Sequence, residues 1–290
     1  MAARHTGPVV AGVDGSESAL DAVRWAADEA ASRHVPLRLV AVFTPLPAAP
    51  RHDLGLTAAY REQVATSLRA TLELATEVAA GAAPGIEIDS ELRTGHPAQV
   101  LTEESRSAVL TVVGSRGLGG FTGLLIGSVA VTLAAHGGSP VLVVRGERAP
   151  GSGLPVLLGV DGSPAGEAAV GVAFEEASRR SVPLRALHAW SDVVVDPAVA
   201  VLIDSEAWET EERALLAERL AGWSGKYPDV EVERVVVRDR PARALVRHSA
   251  EAGLVVLGSR GRGGLAGLLL GSVGQAVLRH ATCPVLIVRG

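Results

Sequence analysis

Two stretches of this chain have residue types and spacing that could hold a ligand. GSRGLGGFTGLLIGSV, residues 114–129, returns 144 positions later as GSRGRGGLAGLLLGSV, residues 258–273. Twelve of sixteen positions are identical and all six glycines recur, with substitutions at Leu118/Arg262, Phe121/Leu265, Thr122/Ala266 and Ile126/Leu270. Glycines permit positive φ and close approach of a ligand to the main chain, which leaves N–H groups to surround an anion. Each stretch closes on Gly-Ser, and Ser128 and Ser272 open helices whose N-termini add unpaired donors and a partial positive charge. A phosphate chain fits that chemistry.

The familiar phosphate motifs do not account for the pattern. A P-loop needs a lysine after its second glycine, and the chain's one lysine, Lys226, lies in neither loop. A dinucleotide fingerprint needs G-x-G-x-x-G after the first strand, whereas Gly117-Leu118-Gly119-Gly120-Phe121-Thr122 breaks the last position and follows the fourth strand. The remaining pattern is G-x2-G-x9-G-S, at Gly114, Gly117, Gly127-Ser128 and again at Gly258, Gly261, Gly271-Ser272. A carboxylate also repeats, as Asp14 and Asp161 in Asp-Gly-Ser. Beside phosphates it would need an intervening metal, so ribose hydroxyls or a base are its expected partners, and capping of the following helix is an alternative role. Arg116 and Arg260 either steer a phosphate or are solvated surface. His96 precedes Pro97 where the second copy has Arg240, and the eight histidines show no metal-ligand spacing.

The elements that position these residues are also duplicated. GPVVAGVDGSESALDAVRWAADEAASRHVPLRLVAVF, from Gly7, aligns with GLPVLLGVDGSPAGEAAVGVAFEEASRRSVPLRALHAW, from Gly153. Asp14/Asp161 and Pro36/Pro183 are offset by 147, but Pro97/Pro241 and Pro140/Pro284 by 144, so three residues are missing from the second copy, in an irregular segment after the second strand. Near-continuous apolar runs at Pro8–Val13, Leu37–Phe43, Ala108–Val113 and Val141–Val144 read as parallel strands buried on both faces. Between them, Leu20, Val23, Ala27 and Ala30 form one helix face, with Asp21, Arg24, Asp28 and Arg33 toward water. The expectation is two tandem Rossmann-like, doubly wound α/β domains, residues 1–147 and 154–290, each a five-stranded parallel sheet of order 3-2-1-4-5 with helices on both faces. Such a sheet places its ligand crevice at the switch point, between the tips of the first and fourth strands. Gly12 and Asp14 on one tip would meet Gly114-Ser115-Arg116-Gly117 on the other.

Composition narrows the classes. A net charge of −5 supplies no basic stripe for nucleic acid. No apolar run is long enough to span a membrane, and the N-terminus leads directly into a strand, so the chain reads as cytoplasmic. The single cysteine, Cys283, reads as a small core residue.

The twice-occurring G-x2-G-x9-G-S pattern with Asp-Gly-Ser resembles the universal stress protein family, specifically its tandem, ATP-binding members, over residues 7–146 and 154–290. That resemblance implies ATP between the first and fourth strands. It assigns Gly12, Asp14, Gly114, Ser115, Arg116, Gly117, Leu118, Gly119, Gly120, Gly127, Ser128 and Val129 to one site. Gly159, Asp161, Gly258, Ser259, Arg260, Gly261, Arg262, Gly263, Gly264, Gly271, Ser272, Val273 and Gly274 would form the other, and Val42 or its counterpart His188-Ala189 would line the adenine pocket. Asp192 is an additional, unrepeated candidate for the second site. The implied role is regulatory binding without rapid turnover. The rival readings are a slow hydrolase or adenylyl-transfer relative using Mg²⁺ on Asp14 and Asp161, and an interaction scaffold with degenerate sites. The edge strands Ser139–Arg145 and Cys283–Arg289 invite pairing, which the resemblance extends to homodimers; the downstream partner is not identified by sequence.

Overall fold

The computed structural model describes residues 7–45, 56–118, 126–146, 149–190, 205–261 and 270–289. Gly119, Gly120, Asp192, Arg262, Gly263 and Gly264 lie outside them, as does most of the segment expected to hold the three-residue difference. The chain divides into two compact units, Met1–Val144 and Arg145–Gly290.

The first unit runs β1 (Val9–Val13), α1 (Glu17–Arg33), β2 (Leu37–Phe43), α2 (Leu56–Ala82), β3 (Ile88–Thr94), α3 (Pro97–Glu104), β4 (Leu110–Gly114), α4 (Ser128–His136) and β5 (Val141–Val144). The second repeats it as β6 (Val156–Gly159), α5 (Pro164–Arg180), β7 (Leu184–Trp190), α6 (Ser205–Lys226), β8 (Val232–Arg238), α7 (Pro241–His248), β9 (Leu254–Gly258), α8 (Ser272–His280) and β10 (Val285–Val288). Every strand pair within a unit is parallel, in the order β3-β2-β1-β4-β5 and, in the second, β8-β7-β6-β9-β10. This is the doubly wound α/β fold expected from the apolar runs. Val9, Val10, Ala11, Leu39 and Val40 are fully buried, as central strands between two helix layers must be. β3 departs from that pattern, because IDSELRT is an edge strand with mostly exposed or half-buried positions.

The helix pattern needs two corrections. α1 buries Ala19, Ala22, Val23, Trp25, Ala26, Ala27, Glu29 and Ala30, while Leu20 is only half-buried. The buried band is wider than a single apolar face because α1 packs on both the sheet and α2. Arg33 is not free in water either, since it pairs with buried Glu29. Both first helices end on a non-glycine in the left-handed region, His34 and Ser181, whose N–H groups close the last turn. Among the described residues, no helix is long and apolar enough to cross a membrane.

Candidate functional site

β1 and β4 are neighbours, with Ala11 opposite Val112, so their tips do converge. The turn after β1 depends on Gly15 at φ +91°, repeated at Gly162 with φ +73°. Asp14 is not the helix cap. Its Oδ1 accepts from the Ser16 N–H (3.0 Å) and hydroxyl (2.7 Å), and Ser16 caps α1 by accepting the Ala19 N–H at 3.2 Å. Asp161 and Ser163 repeat the arrangement, at 2.9 and 2.8 Å, with Ser163 accepting from Gly166 N–H at 3.1 Å. The second Asp14 oxygen accepts the Leu118 N–H at 2.9 Å and so ties the β1 tip to the loop after β4.

The glycines divide into two kinds. Most are crowded by neighbouring protein atoms: a Cβ on Gly12 would press a Leu101 methyl group at 2.7 Å, and one on Gly114 would clash with the Ser18 carbonyl at 2.6 Å. A Cβ on Gly117 or Gly261 would collide with Oδ2 of Asp14 or Asp161. Gly114, Gly117 and Gly127 all lie outside the left-handed region, so positive φ is not their reason. Gly127 and Gly271 are different. Their φ/ψ values, −75°/151° and −66°/155°, suit any residue, and the nearest atoms to an added Cβ are 3.6 and 3.7 Å away. Each stands at the N-cap of a helix with no side-chain cap, and the first intrahelical bonds reach them from Val131 and Gln275. Among the described residues, no side chain caps the first-turn donors of Ser128–Ala130 and Ser272–Gly274.

A cavity of about 450 Å³ opens beside this helix end in the first unit. Gly12, Asp14, Val42, Gly114, Arg116, Gly117, Gly127, Ser128 and Val129 line it, of the residues singled out by sequence. Ser115 is not among its lining residues; its N–H pairs with the Val144 carbonyl and its own carbonyl takes the Gly127 N–H, so it joins strand to helix. Leu118 also lies off the cavity wall, with its side chain 73% exposed. Sequence reasoning passed over the apolar wall, chiefly Val40, Val113, Ile126, Pro97 and Leu101; the repeated Pro97/Pro241 was its one available signal. In the second unit Gly159 and Gly258 end β6 and β9, and Ala189 lies in β7. There too Gly271 donates to the Ser259 carbonyl, Ser259 is buried and Arg260 exposed, and Ser272, Val273 and Gly274 form the first turn of α8. His188 lies elsewhere: its Nδ1 is 2.7 Å from the Val160 carbonyl and its Nε2 3.0 Å from Glu212 of α6. Among the described residues, no group of three or more His, Cys, Asp or Glu side chains could hold a metal.

Parallel units with helices on both faces define the doubly wound α/β class, in which ligand crevices lie at the strand tips beside the switch point. Comparison with protein-family models matches the universal stress protein family over residues 6–145 and again over 154–289. A universal stress protein of Mycolicibacterium smegmatis is 44% identical over 293 residues, covering 97% of this chain and 96% of the relative. One of Mycobacterium tuberculosis H37Rv is 44% identical over 291 residues, with the same coverage of 97% and 96%. The crystal structure of a universal stress protein from Archaeoglobus fulgidus matches over 98% of both chains at 19% identity and a TM-score of 0.68, a likeness of fold. The chain belongs to the universal stress protein family and carries the family's domain twice in tandem.

Proposed function

We propose that each unit binds an adenine nucleotide, ATP, at its switch point, and that occupancy serves a regulatory, stress-adaptation role. The observation that carries this reading is the pair of bare N-caps at Gly127 and Gly271, where protein packing does not require glycine and a capping side chain would fit. An N-cap without a side chain forgoes about 1 kcal/mol of helix stability and keeps donors available to an anion. The phosphates would lie against α4 and α8, the sugar toward Asp14 and Asp161, and the base against the apolar wall at Val42 and, in the second unit, Ala189. The cavity volume is within the range of small-molecule sites.

Binding without turnover is the better-supported reading. Among the described residues, Asp14 is the one carboxylate lining the cavity, both its oxygens already accept hydrogen bonds, and no histidine or lysine joins it there. Mg²⁺ would therefore enter on the nucleotide's own phosphates. The same reading has the protein act in the cytoplasm as a homodimer, which light scattering would test. Equilibrium dialysis with labelled ATP should give saturable binding of two nucleotides per chain; no binding at millimolar nucleotide would refute the proposal.

A further inference from the structure

The second unit has a cavity whose wall differs in chemistry from the matching positions of the first. It measures about 440 Å³ and lies between the first turn of α5 and one face of α6, lined by Glu167, Leu215, Glu218, Arg219, Gly222 and Trp223. Buried Leu72 and Leu216 fix the correspondence of α2 and α6. At that register the first unit has Ala75 where the second has Arg219, Leu74 for Glu218, Val78 for Gly222 and Ala79 for Trp223, while Leu20 of α1 stands for Glu167. One wall has thus changed from alkyl side chains to two carboxylates, a guanidinium and an indole.

The guanidinium is the informative member. Arg219 is half-buried, its Nε is shut off from solvent without a hydrogen-bond partner, and among the described residues it makes no ion pair. The closed-off Nε is out of reach of a ligand, but the guanidinium charge stands without a counter-charge, and a carboxylate entering the cavity that Arg219 lines would supply one. A simple anion is disfavoured, because the same wall carries Glu167 and Glu218. Glu167 is held in place by the Trp223 indole N–H at 3.1 Å, and Trp223 in turn stacks on Phe174 and Tyr227, with Lys226 over its ring. Leu215 and Gly222 leave an apolar surface between the charges.

We infer that this cavity is a second ligand site, for a small zwitterion of the free α-amino-acid class with an apolar side chain. Its carboxylate meets Arg219, its ammonium meets Glu167 and Glu218, and its side chain lies along Leu215. This site is independent of the nucleotide reading, since it shares no residue with the strand-tip crevice.

The Trp223 indole N–H, bonded to Glu167, reports on the site directly. In ¹H–¹⁵N spectra of the full chain, with that resonance identified by its loss in Trp223→Phe, L-leucine should produce a saturable shift. Leucinamide, which lacks the carboxylate, and 4-methylpentanoate, which lacks the ammonium, should each bind about tenfold or more weaker, as expected for loss of one charged hydrogen bond. Arg219→Gln, and Arg219→Ala with the first unit's residue, should lose the leucine response while the other indole resonances stay in place. No saturable shift with leucine, equal shifts with all three compounds, or an undiminished response in a folded Arg219 variant would overturn the inference.

Discussion

Placing a carboxylate at the bare N-cap should have opposite effects on stability and on binding, and Gly127→Asp is the variant that separates them. The backbone there, at φ −75° and ψ 151°, accepts an L-residue without strain, and an added Cβ meets nothing closer than 3.6 Å. Three gains then combine: a side-chain acceptor for the first-turn donors, a negative charge at the positive helix end, and less backbone freedom in the unfolded chain. Together they amount to about 1–2 kcal/mol in favour of folding. For a unit of this size that is a rise of about 3–8 °C in melting temperature. The same carboxylate would occupy the place of the phosphate. Losing two charge-assisted hydrogen bonds costs at least about 3 kcal/mol, which weakens ATP by about 100-fold or more at that unit. Calorimetry and equilibrium dialysis on one preparation would show a more stable protein with one ATP per chain, and Gly127→Asp with Gly271→Asp would bind none. Unchanged ATP binding by the double variant would remove the phosphates from α4 and α8, and a lower melting temperature would refute the N-cap argument itself.

Gly117→Ala puts a methyl group onto Asp14 Oδ2 and should break the bond from the Leu118 N–H, destabilising the first unit by about 1–3 kcal/mol. Adding Asp14→Ala should recover part of the steric cost, a non-additivity that urea denaturation would measure. The buried hydroxyl pair Thr111–Ser139, 2.8 Å apart, stands where the second unit has Val255 and Cys283. Thr111→Val alone should cost about 0.5–1.5 kcal/mol, because the Ser139 hydroxyl loses one buried partner and keeps only the Pro140 carbonyl at 3.2 Å, and Thr111→Val with Ser139→Cys should cost less. His248 has its pKa lowered from 6.5 by burial first, then by the charges of Arg247 and Arg185. The unfolded chain accepts that proton more readily than the folded one, so stability should be full above pH 6.5 and fall as pH drops below it. His248→Gln should flatten that slope in urea midpoints taken on both sides of pH 6.5.

The buried parallel strands and the motif at each tip were legible because they follow from local pattern, and the expected order 3-2-1-4-5, once adopted, brought Asp14 to Gly117. Cys283 is likewise the buried residue its surroundings predicted. The purpose of each glycine was not legible. What excludes a side chain at Gly12 is Leu101 from α3, and at Gly114 it is Ser18 from α1, neighbours supplied by tertiary packing and invisible to spacing. The turn that needs positive φ falls at Gly15, outside the glycine-rich stretch. The cap likewise belongs to Ser16, because Asp14 lies too far before the helix to cap its first-turn donors and instead fixes the serine that does. Arg219 gave no signal at all, since its sequence surroundings are those of an ordinary solvated helix face.

The tie between Asp14 and Leu118 has a consequence for selectivity. A sugar hydroxyl that reaches the outer Asp14 oxygen competes with a hydrogen bond already formed to the Leu118 N–H, so contact there is an exchange with little net gain. At the helix end no described side chain caps the first turn, so a phosphate bound there would meet donors without such a competitor. Discrimination among ligands that share a base should therefore follow the length of the phosphate chain, with the nucleoside alone held weakly and alteration of the sugar making little difference.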